Sequence, residues 1–145
     1  MQSVDNAQPK WIVYSFYAAA AYNIVGMMTL TQFLTLDRLG AYDPIFDLAG
    51  AQLVILWGAA YLATSRHFHV APHVVLVFAF EKAWYFKRWL EWLSERSGEL
   101  SDIAAADPGA GFFYATYGAG DGLFMAFFAY VWWTYRGAGT DFEAN

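Results

Sequence analysis

The chain has 145 residues, 59% hydrophobic and 21% aromatic, and only 14% are charged, against roughly 25% in soluble domains. A soluble domain of this size could not bury so much apolar surface, so the composition predicts a single all-α integral membrane domain, an antiparallel up-down-up-down four-helix bundle. The net charge of −5 argues against nucleic acid and against a polybasic lipid anchor, and the lack of cysteine removes disulfides, thiolate metal sites, iron–sulfur clusters and thiol nucleophiles.

The opening residues, up to Lys10, are polar and mixed in charge. They lack the basic n-region and small-residue cleavage site of a secretion signal, so the hydrophobic segment that follows is expected to stay as a helix. The first span is predicted at about 11–36, long enough for the ~30 Å hydrocarbon core with some tilt. Trp11, Tyr14 and Tyr17 suit the headgroup region. Ala19, Asn23 and Gly26 fall on one face at helical spacing, where small residues admit a neighbouring backbone and Asn23 can hydrogen-bond across the contact.

A polar loop follows, and Asp43-Pro44 reads as the N-cap and first position of a second span at about 44–64. Asp47 would lie in its first turn, where the helix dipole favours a carboxylate. Gln52 lies deeper and joins the candidate polar residues. Gly50, Val54, Gly58 and Tyr61 form a stripe suited to a helix contact. The tight link at 65–71 makes the second and third spans antiparallel neighbours. His67 and His69 lie in this link and His73 just beyond it, but Pro72 interrupts any shared helix, so neither a metal nor a haem is expected, and no other cofactor.

The third span, about 72–95, carries Glu81 and Lys82 inside its apolar, aromatic run. Either charge at membrane depth costs on the order of 3 kcal/mol, so the fold must supply partners. Glu81, Tyr85 and Arg88 share a face, while Lys82 points about 100° away, so the two neighbours are expected to address different helices. The Trp-rich second half, with Lys87 and Arg88 snorkelling, reads as a helix emerging through the interface. An acidic, solvated connection over 94–107 ends in a second Asp-Pro pair, Asp107-Pro108.

The last span is predicted at about 111–135, with Gly118, Gly122 and Ala126 as a small-residue stripe and Asp121 deep among glycines. Trp132, Trp133 and Tyr135 mark the far interface, Arg136 lies beyond it, and the tail from Gly137 is expected to fray. Lysines and arginines nearly balance between the two sides. Both termini are placed in the cytoplasm.

Collected across the spans, the deep polar groups are Asn23, Gln52, Glu81, Lys82 and Asp121, with Tyr85 and Arg88 on the face of Glu81. The central expectation is that Lys82 pairs with Asp121 across the third and fourth spans. Glu81 is then left to Arg88, to Tyr85, to a polar group of the first two helices, or to a proton. Such pairs either fix helix register or line a pocket for a proton, an ion or a small polar head group.

The order Asn23-Ile24-Val25-Gly26, the Gln52–Tyr61 stretch with its glycine, Lys82 and Gly120-Asp121 resembles a widespread group of small four-span bacterial inner-membrane proteins, in the style of the DoxX-like and other uncharacterised four-helix families. The resemblance covers roughly 11–135. It implies a multi-pass inner-membrane protein in which the lysine and aspartate recur, and it carries no assigned activity. Glu81 beside the lysine, the Trp-rich extension and the long acidic connection depart from the pattern.

Three functions follow as expectations. The first is a non-enzymatic bundle that binds a hydrophobic ligand of lipid or quinone type, or a partner membrane protein, in a cleft walled by Trp84, Tyr85, Tyr114, Tyr117 and Phe124. The second is a proton-coupled transporter or channel formed by a homo-oligomer. The third is an intramembrane isomerase using Glu81 with Asp47 or Asp121 for acid–base chemistry.

Overall fold

A computed structural model describes residues 8–137, which hold four long helices and a short one, with no strand among the described residues. The N-terminal polar segment up to residue 7 and the tail from residue 138, where fraying was expected, lie outside the described residues. The helices are α1 (Lys10–Leu30), α2 (Leu48–Thr64), α3 (Pro72–Arg96), α4 (Leu100–Ala106) and α5 (Pro108–Tyr135). By length and composition α1 qualifies as a membrane span, and α2 is apolar but shorter.

The helix ends follow local hydrogen bonding. α1 stops at Leu30, six residues short of the expected span. Thr31 Oγ1 donates to the Met27 carbonyl at 2.7 Å and accepts the Leu34 N–H at 3.0 Å. This side chain thus competes with the helix ladder. Gln32, Phe33 and Leu34 then take φ of 48°, 59° and 63°, a left-handed turn that costs roughly 1–2 kcal/mol per non-glycine residue. Apolar composition gave no sign of this turn, because Phe33, Leu34 and Leu36 continue the pattern of the helix.

Two aspartates divide the start of the second helix. Asp43 accepts the Ile45 N–H and caps only a 3-10 turn, Pro44–Phe46. Asp47, expected inside the first turn, is instead the N-cap of α2 and accepts the Gly50 N–H at 2.8 Å. α3 and α5 both start on proline, and Asp107 caps α5 through the Ala110 N–H at 3.0 Å. The acidic connection is not merely a loop: it contains a 3-10 turn and α4, whose Ile103 is buried against α5.

Each long helix runs opposite to its predecessor, as the core shows. One cluster joins Ile12 and Phe16 of α1 to Tyr61 at the end of α2, Val75 and Phe78 at the start of α3, and Phe128 and Val131 near the end of α5. The other joins Met27, Ala51, Tyr85, Trp92 and Phe113, the opposite ends of the same helices. Close backbone approach is concentrated within two pairs, α1 with α2 and α3 with α5. Thus α2 and α3 are antiparallel across their short link, yet their backbones approach closely at few points.

Glycine makes each pair possible. A Cβ on Gly58 would lie 2.7 Å from Ile24 Cγ1 and 3.1 Å from the Ala20 carbonyl, so α1 and α2 could not stay this close with alanine there. Gly118 of α5 receives the Trp89 ring of α3, whose Nε1 donates to the Tyr114 carbonyl at 2.9 Å. Gly122 continues this seam against Phe86, whereas Ala126 is exposed and takes no part in it. The seam between the two pairs is wider and filled by large side chains.

Candidate functional site

Midway along that seam, between the two aromatic clusters, lies a buried charged layer. Lys82 of α3 is 1% exposed, and its ammonium donates to Asp121 Oδ1 of α5 at 2.7 Å and to Asn23 Oδ1 of α1 at 2.8 Å. The Tyr22 and Tyr61 rings each place their centroid 5.5 Å from Nζ, adding cation–π attraction to a buried ammonium. Asn23 turns its amide the other way, donating from Nδ2 to the Val54 carbonyl of α2 at 3.1 Å. One lysine thereby ties α3 to α1 and α5 directly, and to α2 through Asn23.

Glu81 is the neighbouring turn of the same problem. It does reach a different helix: its Oε2 accepts the hydroxyl of Tyr61 on α2. Yet the two side chains also converge, with Glu81 Oε1 3.9 Å from Lys82 Nζ. That separation is an ion pair without a hydrogen bond. Glu81 Oε1 has no hydrogen-bonding protein partner, and neither does the buried Tyr117 hydroxyl. The layer therefore holds two carboxyl groups around a single ammonium.

Of the residues named from the sequence, Asn23, Glu81, Lys82 and Asp121 come together, and Tyr85 lines the same small cavity. Two do not join them. Gln52 is exposed. It sits about 200° around α2 from Val54, whose face is buried, so it points outward. Arg88 does not reach Glu81, because seven residues carry it roughly 10 Å up the helix. There it meets Asp43 at 3.3 Å, brought over the end of α3 by the α1–α2 connection, and Glu91 at 3.3 Å. Asp47, the alternative acid–base partner of Glu81, is a helix cap outside the layer.

Sequence reasoning missed Tyr61, Tyr22 and Asp43. Tyr61 belongs to the stripe with Gly50, Val54 and Gly58 that marks a helix contact, and the missed signal is that a tyrosine on a buried face needs a partner for its hydroxyl. Tyr22 is half-exposed, and its hydroxyl donates to the Tyr117 carbonyl at 2.6 Å, bridging α1 to α5. Nothing local distinguishes it from Tyr14 and Tyr17 on the same helix.

Two spaces adjoin the layer. A cavity of about 20 Å3 has Glu81, Lys82, Asp121, Tyr85 and Tyr117 in its wall. A larger groove of about 380 Å3 runs between α1 and α5, lined by Val25, Gly26, Leu30, Phe112 and Thr116. Met27 and Phe113 line both, so two side chains separate the outer groove from the charged layer. The cleft expected from the aromatics is thus placed differently. Trp84 is exposed, the Tyr114 hydroxyl is bonded to the Leu39 carbonyl at 2.8 Å, and Phe124 packs on Tyr22. Compared with known proteins, the chain matches no family model, no curated protein and no solved structure.

Proposed function

We propose that the chain is a four-span membrane protein that accepts the apolar tail of a lipid- or quinone-type amphiphile between α1 and α5, close to its buried charged layer. The observation that carries this reading is the apolar groove of about 380 Å3 that shares Met27 and Phe113 with the polar cavity. An apolar cleft with a few convergent polar groups at its base suits such a molecule. The membrane reading draws on outward-facing Val25, Leu53, Leu56, Val77, Phe80, Trp84 and Leu123, spread over all four long helices. Such a belt suits acyl chains, while the charged layer faces the bundle interior, as ionisable groups in a bilayer do. The resemblance to small four-span inner-membrane families points the same way, and the lysine and arginine distribution favours both termini in the cytoplasm.

Gly26 provides the test. It lines the groove, and a Cβ there would meet nothing within 4 Å. Gly26→Phe should fill the groove without displacing the backbone, and replacing a mid-helix glycine should leave the fold at least as stable. The purified wild-type protein should carry a co-extracted amphiphile, detected by mass spectrometry of the organic extract, and Gly26→Phe should lose it. Equal amounts on both proteins would refute the groove as the site. Release of the wild-type chain from membranes by carbonate wash would refute the membrane reading itself.

A second reading, proton-coupled transport by a homo-oligomer, draws on the two carboxyl groups that face one ammonium. It shares the charged layer with the first but makes no use of the groove.

A further inference from the structure

The small cavity contains a pattern that the groove alone does not explain. Glu81 is 9% exposed and Tyr117 3%; each carries a buried oxygen without a protein partner, and both residues line the same space. Lys82 and Asp121 complete the polar wall, and Met27 and Phe113 form part of the apolar one. Buried polar atoms are rarely left unpaired, because each orphan costs about 1–3 kcal/mol. At about 20 Å3 the cavity exceeds the roughly 10–15 Å3 that one water-sized group requires.

We propose that this cavity is a site for one hydroxyl-type oxygen, held between Glu81 Oε1 and Tyr117 Oη. A group that both donates and accepts satisfies this pair whichever way the Tyr117 hydroxyl turns. A carboxylate oxygen accepts, and a phenol donates or accepts. A hydroxyl serves Glu81 with or without a proton on Oε1, whereas a carbonyl oxygen serves it only when the proton is there. A carboxylate or phosphate head would bring a further negative charge to a layer that already sets two carboxyls against one ammonium. The oxygen has two sources: a water molecule, or the terminal hydroxyl of a long-chain alcohol whose tail lies in the groove and whose head passes Met27 and Phe113. The second source rests on the groove reading above; the first does not.

The experiment is a high-resolution structure of the full chain in detergent, alone and with dodecanol, alongside Tyr117→Phe. Expected in the wild type is an ordered oxygen within hydrogen-bond distance of both Glu81 Oε1 and Tyr117 Oη, lost in Tyr117→Phe while the fold is kept. A wild-type cavity closed by direct bonding of Glu81 Oε1 to Lys82 or Tyr117 would overturn the site. Dodecanol should bind with its hydroxyl in that position, roughly tenfold more weakly to Tyr117→Phe, and dodecanoate should not compete. Competition by dodecanoate at equal affinity would overturn the hydroxyl preference. An ordered oxygen with no dodecanol in the groove would assign the site to water, and it would count against the groove reading alone.

Discussion

The two halves of the bundle on either side of the charged layer are built from different aromatics. Toward the link between α2 and α3, the core is phenylalanine: Phe16 stacks on Phe68, and Phe128 meets Phe16, Tyr61 and Phe78 at ring separations of 5.0–5.5 Å. The phenylalanine rings have no polar edge to satisfy, and Tyr61 turns its hydroxyl to Glu81. Toward the other end, Tyr85, Tyr114 and Tyr117 pack around Phe46, and Trp92 stacks on Tyr114. Here Arg88 Nε, Trp92 Nε1 and Tyr117 Oη are buried without protein partners, against Trp132 Nε1 in the phenylalanine half. The groove and the small cavity both open on the tyrosine half. The contrast teaches that one half is completed by ring packing, while the other keeps polar capacity in reserve next to space.

Substitutions test that division. The largest loss should come at the layer that both halves share. Lys82→Met leaves Glu81 and Asp121 buried with no cation, and removing one member of such a pair costs about 3–5 kcal/mol. Combining it with Asp121→Asn should recover part of the loss in urea unfolding followed by circular dichroism. Additive losses would mean that the pair is not coupled.

Next comes a matched comparison across the layer. Phe128→Ala should cost about 3 kcal/mol, because the phenylalanine half has no means of filling the hole. Tyr117→Phe should cost less, about 1 kcal/mol, since the hydroxyl it deletes has no protein partner and only the oxygen it shares with Glu81 goes with it. A large loss at Tyr117 would contradict the picture of a half with polar capacity in reserve.

The smallest effect concerns the strap that closes the tyrosine half. Arg38, in the α1–α2 connection, holds Asp107 at the start of α5 at 2.8 Å. Partial burial works against the charged form of Asp107, but the Ala110 N–H and the Arg38 guanidinium outweigh it and hold the carboxyl below its usual range. The sign follows from the depressed value. The contribution is present above the unfolded pKa of about 4 and is lost as pH falls through the folded value. Thermal unfolding across the acid range should therefore show a shallower acid limb in Arg38→Gln than in wild type. Parallel curves for the two proteins would remove Asp107 from the account.

Much of the layer was legible in the residues themselves. A lysine and an aspartate in otherwise apolar stretches have few solutions other than each other, and Asn23 on a small-residue face was a natural third member. A polar group of the first two helices was one open partner for Glu81, but that this group is Tyr61 was not legible. It depended on which face of α2 turns inward, and the Gly58 contact with α1 decides that. Arg88, one open candidate for Glu81, meets Asp43 and Glu91 instead, because helix spacing gives shared faces, not heights, and because the approach of Asp43 depends on a connection whose path no periodicity encodes. The left-handed turn after Thr31 escaped for a similar reason, since hydrogen bonding by one hydroxyl ended a helix whose apolar pattern ran on.

By itself the sequence determined the all-helical class, the proline and aspartate helix starts at Pro72 and Asp107, and the need for buried charges to find partners, because these follow from local hydrogen bonding and desolvation. Only the tertiary structure decided that the helices pair as α1 with α2 and α3 with α5, that Tyr61 rather than Arg88 meets Glu81, and that an open groove borders the charged layer. Those outcomes depend on how glycine contacts and bulky rings set the distance between helices, which is a property of the assembled bundle.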